Sequence, residues 1–192
     1  MIEKIHQPIP EHYTQIEQAT IESGFTMASD MLTCGLLRTL AASKPAGKFL
    51  ELGTGTGLST CWILDGMDIE STLISFDNDE TVLKIAKTYL GTDKRLTLLQ
   101  SDGEEWIRSN KGQKFDFIFA DTWHGKYLLL NEVLDMIKIG GLYILDDMLP
   151  QPNWPEGHGE KVAHLINYLE SRSDLFVTKQ VWATGIIIVV KR

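Results

Sequence analysis

At 192 residues, with 43% apolar and 23% charged side chains, the chain has the length and composition of one ordinary globular domain that buries roughly 70% of its unfolded surface. A formal net charge of −8 excludes a general nucleic-acid binder, and no apolar run reaches the roughly 20 residues of a membrane span. Met1-Ile2-Glu3-Lys4 opens no secretory signal, and Cys34 and Cys61 have neither metal-ligand nor disulfide spacing, so a cytoplasmic protein with buried, reduced thiols is expected.

Residues 11–42 place apolar side chains at helical spacing, Tyr13 and Ile16 in one stretch and Met31, Cys34, Leu37 and Leu40 in another, broken at Ser23-Gly24. A helical N-terminal segment over 1–44 is expected to precede an α/β core over 45–192, the whole forming one domain. After the turn at Lys44-Pro45-Ala46-Gly47, short apolar runs at 48–52, 72–77, 96–99, 115–120 and 141–146 alternate with longer mixed segments. That rhythm predicts βαβ units and a parallel sheet. The end of the chain departs from it. Residues 175–182 and 186–190 are separated only by Ala183-Thr184-Gly185, which joins antiparallel strands. The expected fold class is α/β, a Rossmann-like three-layer sandwich with a mostly parallel seven-stranded sheet closed by a C-terminal antiparallel hairpin.

The first strand runs into Glu51-Leu52-Gly53-Thr54-Gly55-Thr56-Gly57, and a helix-compatible run starts at Leu58. Alternating glycines between a strand and a helix permit positive φ and close ligand approach beside unpaired helix N–H groups. The dinucleotide fingerprint G-x-G-x-x-G requires glycine where Leu58 stands, so a pyrophosphate ligand is disfavoured. The acidic residue, apolar residue and G-x-G-x-G resemble the first motif of class I S-adenosylmethionine-dependent methyltransferases. The resemblance places the methyl donor over Glu51, Gly53, Thr54, Gly55 and Gly57, with Ser59 donating to its carboxylate.

Asp77 ends the second strand 20 residues beyond Gly57, the distance over which a helix and a return strand bring a carboxylate back to accept from both ribose hydroxyls. Asn78 flanks the adenosine, and Asp79 is the expected helix cap. After the third strand, Asp102 stands where related enzymes place a polar group against the adenine amine and is the expected partner there, with a cap of the following helix as the alternative.

Asp121 ends the fourth strand and Asp146-Asp147 the fifth, so three carboxylates meet at the carboxyl edge of a parallel sheet, where ligands of open α/β sheets bind. A hard divalent cation such as Mg²⁺ would relieve their repulsion. Together with Asp121-Thr122-Trp123-His124-Gly125-Lys126-Tyr127 and Gly140-Gly141-Leu142-Tyr143-Ile144-Leu145-Asp146-Asp147, these motifs resemble the cation-dependent O-methyltransferases of catechols and caffeoyl-type phenols. The resemblance implies metal ligation by Asp121, Asp146 and Asp147, with Asp121 and Trp123 also beside the cofactor. It implies a small phenolic acceptor and a homodimer. Two departures stand out: Asp147 replaces a metal-binding asparagine, and His124 replaces the lysine base of the catechol enzymes. His124 is the expected base, with Asp121 the other catalytic residue and Lys126 an alternative that could reach the site. The Pro- and Trp-rich residues 149–158 are placed to wall the acceptor pocket. Three alternatives remain at this stage: a metal-independent methyltransferase with His124 or His158 as base, a non-catalytic S-adenosylmethionine-binding module, and a nucleotide-dependent dehydrogenase.

Overall fold

The computed structural model describes residues 8–152 and 154–192; the reading placed on Met1 to Lys4, and Asn153 of the Pro/Trp loop, lie outside them. Two helices come first, α1 (Tyr13–Ser23) and α2 (Met31–Ala42). Gly24, at φ 73°, ends α1 in the left-handed region, and the Asp30 carboxylate opens α2 by accepting from the Leu32 N–H at 2.7 Å. The core follows as β1 (Lys48–Leu52), α3 (Leu58–Gly66), β2 (Thr72–Asp77), α4 (Glu80–Leu90), β3 (Leu96–Gln100), α5 (Gly103–Ser109) and β4 (Phe115–Ala120). It ends with α6 (Leu130–Met136), β5 (Ile137–Leu145), α7 (His158–Ser171), β6 (Leu175–Gln180) and β7 (Ile186–Lys191).

The seven strands form one sheet in the order β3-β2-β1-β4-β5-β7-β6. β3, β2, β1, β4 and β5 are parallel, and β7 inserts antiparallel between β5 and β6. Both faces of the central strands are covered, which is why their sequences read as continuous apolar runs rather than alternations. On β4, Ile118 and Ala120 face a core shared with α5, α6 and α7, while Phe117 and Phe119 face a second core built with α1, α2 and α3. Cys34 and Cys61 are buried free thiols in that second core.

β5 starts earlier than the expected 141, because Ile137 pairs with Phe115 before the register shifts and Leu142 pairs with Phe117. Residues 138–141 take up the excess as a bulge, with Gly140 at φ 75°. The order reverses between β1 and β4, each of which starts a crossover in opposite directions across the sheet. The carboxyl ends of β1, β2 and β4 therefore open a crevice at this switch point.

Candidate functional site

The crevice is a cleft of about 430 Å³ whose floor is the glycine turn after β1. Gly53, Gly55 and Gly57 all have positive φ, at 97°, 52° and 93°. The Gly53 and Thr54 N–H groups both donate to the Phe76 carbonyl, and the Gly55 N–H donates to Asp77 Oδ2 at 2.8 Å. Asp77 lies at the cleft beside Asn78, its other oxygen accepting from the Asp79 N–H at 3.0 Å. Asp79 in turn caps α4 through the Thr81 N–H. Each Asp77 oxygen keeps a lone-pair direction for a ligand hydroxyl. Gly57 caps α3 without a side chain, so first-turn N–H groups of that helix lack an intrahelical partner at the cleft.

Glu51 is fully buried and does not line the cleft. Its carboxylate accepts from Ser59 Oγ at 2.7 Å, Thr60 Oγ1 at 2.5 Å and Ser75 Oγ at 2.6 Å. Burial pushes its pKa up to about 7 against the opposing pull of those three hydroxyls. Thr54 and Ser59 do line the cleft, but the Ser59 hydroxyl proton is committed to Glu51, and Thr54 pairs with Ser75 at 2.6 Å. Glu51 thus ties the helix after the turn to β2 from below. Asp102 caps α5, accepting from the Glu104 and Glu105 N–H groups, and its neighbours Ser101 and Gly103 line the cleft in its stead.

Asp121, Thr122, Trp123 and His124 form the wall that rises from β4. Asp121 Oδ2 accepts from Ser29 Oγ at 3.0 Å, and burial is the main cause that raises its pKa, opposed by Lys126 and reinforced by Asp147. Asp146 is buried and spends one oxygen on the Thr184 hydroxyl and on the Asp147 N–H. Burial and the Asp121 charge raise its pKa as well. Asp147 sits at φ 61°, and neither it nor Asp146 lines the cleft.

The positive charge beside Asp121 is a side chain. Lys126, only 4% exposed, brings Nζ within 3.8 Å of Asp121 Oδ1 and 3.1 Å of the Asp146 carbonyl oxygen. Among the described residues no three acidic, imidazole or thiol side chains are grouped as metal ligands. The expected ligand set of Asp121, Asp146 and Asp147 does not fit a resident divalent cation. A cation there would meet Nζ, and Asp146 has already given one oxygen to two other donors.

The His124 ring lies against Gly103 at the start of α5, where a Cβ would fall 2.6 Å from its Cγ. Among the described residues His124 makes no ion pair or side-chain hydrogen bond, and so is not joined to the carboxylates. Beyond it stands an aromatic group. His158 packs on Tyr127, Trp154 and Trp123 at ring separations of 5.1, 4.6 and 5.7 Å, and its Nε2 lies 3.3 Å from the Tyr127 hydroxyl. Burial, with Lys126 and Lys161 nearby, lowers the His158 pKa, and its buried Nδ1 has no hydrogen-bond partner. Only Trp123 of this group borders the cleft.

Sequence reasoning gave no role to Phe25, Met27, Ala28 and Ser29, which close the cleft from above. The break at Ser23-Gly24 marked the segment between the helices; nothing in it signalled the 92-residue reach from Ser29 to Asp121. Thr184 was read only as part of a hairpin turn.

A seven-stranded sheet in this order, with a glycine turn and a strand-end carboxylate at the switch point, is the Rossmann-like architecture of class I methyltransferases. The chain belongs to the methyltransferase-domain family, whose model matches residues 50–148, just over half of its length. Among solved structures it is similar to the O-methyltransferase from Bacillus cereus in complex with S-adenosylhomocysteine (TM-score 0.85, 15% identity, 98% of this chain and 94% of that one). It is similar also to the O-methyltransferase TomG from Streptomyces achromogenes in complex with S-adenosylmethionine (TM-score 0.82, 19% identity, 97% and 92%). At such identities these likenesses establish the fold alone. In sequence, O-methyltransferase hkm8 of Aspergillus hancockii is 27% identical over 150 residues, 73% of this chain and 59% of that protein. A Mycobacterium leprae protein, named provisionally as an O-methyltransferase, is 28% identical over 93 residues, 46% of this chain. The match spans 42% of that relative's length, less than half.

Proposed function

We propose that the chain transfers the methyl group of S-adenosylmethionine to an oxygen of a small, flat phenolic acceptor. The observation that carries this reading is Asp77, aimed at the cleft while it fixes the Gly55 N–H of the turn. Asp77 would hold the ribose hydroxyls, Ser101, Gly103 and Asn78 would border the adenine, and the first turn of α3 would receive the carboxylate. The cofactor supplies a methyl group on a sulfonium, and the chain's own residues supply position and charge. The names and ligands of the related O-methyltransferases support the same reading.

Trp123 borders the cleft and leads into Tyr127, His158 and Trp154, an aromatic wall suited to a planar acceptor. Asp121 is the proton acceptor best placed for an acceptor hydroxyl. It borders the cleft, and burial raises its affinity for a proton. His124, against Gly103, faces the adenine side in this reading and is not assigned as base.

The test is turnover of a panel of catechols and simple phenols with S-adenosylmethionine in excess chelator, followed by mass spectrometry. Methylated product with equimolar S-adenosylhomocysteine is expected. Tight S-adenosylhomocysteine binding without any product would leave a binding module, and failure to bind it would overturn the whole reading.

A further inference from the structure

Three carboxylates stand at one sheet edge, and the fold delivers Lys126 to the Asp121 carboxylate and the Asp146 backbone carbonyl. The Trp123 carbonyl accepts from the N–H groups of Lys126, Tyr127 and Leu128 at 3.2, 2.9 and 3.1 Å, and the Gly125 N–H donates to the Leu128 carbonyl at 2.7 Å. The resulting knot puts Gly125 at φ 86°, where a Cβ would lie 2.6 Å from a Leu52 methyl. Only glycine fits that approach, and it turns the next side chain inward. Lysine is almost never fully buried unless paired, so an enclosed ammonium implies carboxylates that hold it.

We infer that Lys126 is a built-in cation: its ammonium occupies the place a divalent metal would take between Asp121 and the end of β5. The site accordingly binds no metal while Lys126 is present, and removal of its charge opens it to one. Lys126 is a positioning residue in this scheme. It holds the Asp121 carboxylate at the cleft wall, with Ser29 on the other oxygen. The inference concerns cation occupancy and does not rest on the identity of the acceptor or on turnover.

The experiment is a Mn²⁺ titration of the full chain, read by loss of the free-ion EPR signal and by the shift in thermal midpoint. Wild type, Lys126→Arg, Lys126→Met and Lys126→Gln are compared. Wild type and the Arg variant are expected to show no stoichiometric Mn²⁺ site and no thermal shift. The Met and Gln variants should unfold at lower temperature, bind one Mn²⁺ at least about tenfold more tightly than wild type, and regain stability with it. Adding Asp121→Asn to Lys126→Met should abolish that gain. Stoichiometric Mn²⁺ on wild type, lost in Asp121→Asn, would overturn the proposal, as would folded Met and Gln variants that ignore Mn²⁺. If neither neutral variant folds, the wild-type titration decides by itself. A negative result here leaves the methyltransferase reading intact, since binding of S-adenosylhomocysteine is measured separately.

Discussion

Gly57 has φ of 93°, and a Cβ added there would lie 2.9 Å from the Cβ of Ala86 and 3.1 Å from a Leu90 methyl on α4. The last glycine of the turn is thus a packing glycine. It lets α4 approach the start of α3, while Leu58, one position on, is buried in the core where a dinucleotide fingerprint would have needed glycine. Gly57→Ala combines left-handed strain with a backbone-side clash and should cost about 1–3 kcal/mol, read as a lower urea midpoint. Asp77 carries a different load. Its two oxygens hold the Gly55 and Asp79 N–H groups, and the residue lines the cleft. Asp77→Ala should raise the calorimetric dissociation constant for S-adenosylhomocysteine by about tenfold or more, the equivalent of one charge-assisted hydrogen bond. An unchanged constant would remove Asp77 from the proposed site.

Among the elements, the strands and the terminal hairpin were legible because buried parallel strands are continuous apolar runs and a short gap favours an antiparallel return, although β6 stops at Gln180 and leaves residues 181–185, not 183–185, as the connection. The start of β5 was not, since Gly140-Gly141 reads as a boundary and only pairing of Ile137 with Phe115 turns it into a bulge. At the site, Asp77 and Asp121 could be placed from strand ends. Lys126 was legible only as an alternative that could reach the site; its burial beside Asp121 follows from the Gly125 knot, which no spacing signals. Asp102, read first as a cofactor residue, caps α5 through the Glu104 and Glu105 N–H groups and does not line the cleft. Trp154 packs on His158 at the start of α7. Trp154 does not line the cleft, whereas Trp123 does. Trp154→Ala should therefore raise KM for a phenolic acceptor several-fold and leave the S-adenosylhomocysteine constant unchanged; equal effects on both would place the wall on the cofactor instead.

For the molecule as a whole, pH stability divides between two sets of carboxylates. Asp93 and Asp116, beside Arg95 and Lys138, have lowered pKa values, so their contribution is present at neutral pH and is lost as the medium becomes strongly acidic. Glu51 acts in the opposite sense. Its folded pKa, near 7, lies above the ordinary 4.5, so the folded state binds the proton more tightly than the unfolded chain. The associated stability is complete below about pH 4.5 and is lost as pH rises through about 7. The gap corresponds to something on the order of 3 kcal/mol for a fully buried group. Asp121 and Asp146 are raised by the same cause and add to the loss. Stability should therefore peak on the acid side of neutrality and fall between pH 5 and pH 8, although the chain is acidic overall and gains negative charge slowly over that range. Glu51→Gln removes the titration and keeps one amide oxygen as acceptor, with an NH2 donor where the other carboxylate oxygen stood. The urea midpoint of this variant should fall less between pH 5 and pH 8 than that of wild type. If the two proteins fall by the same amount, the decline belongs to Asp121 and Asp146, and the three hydroxyls hold Glu51 ionised throughout.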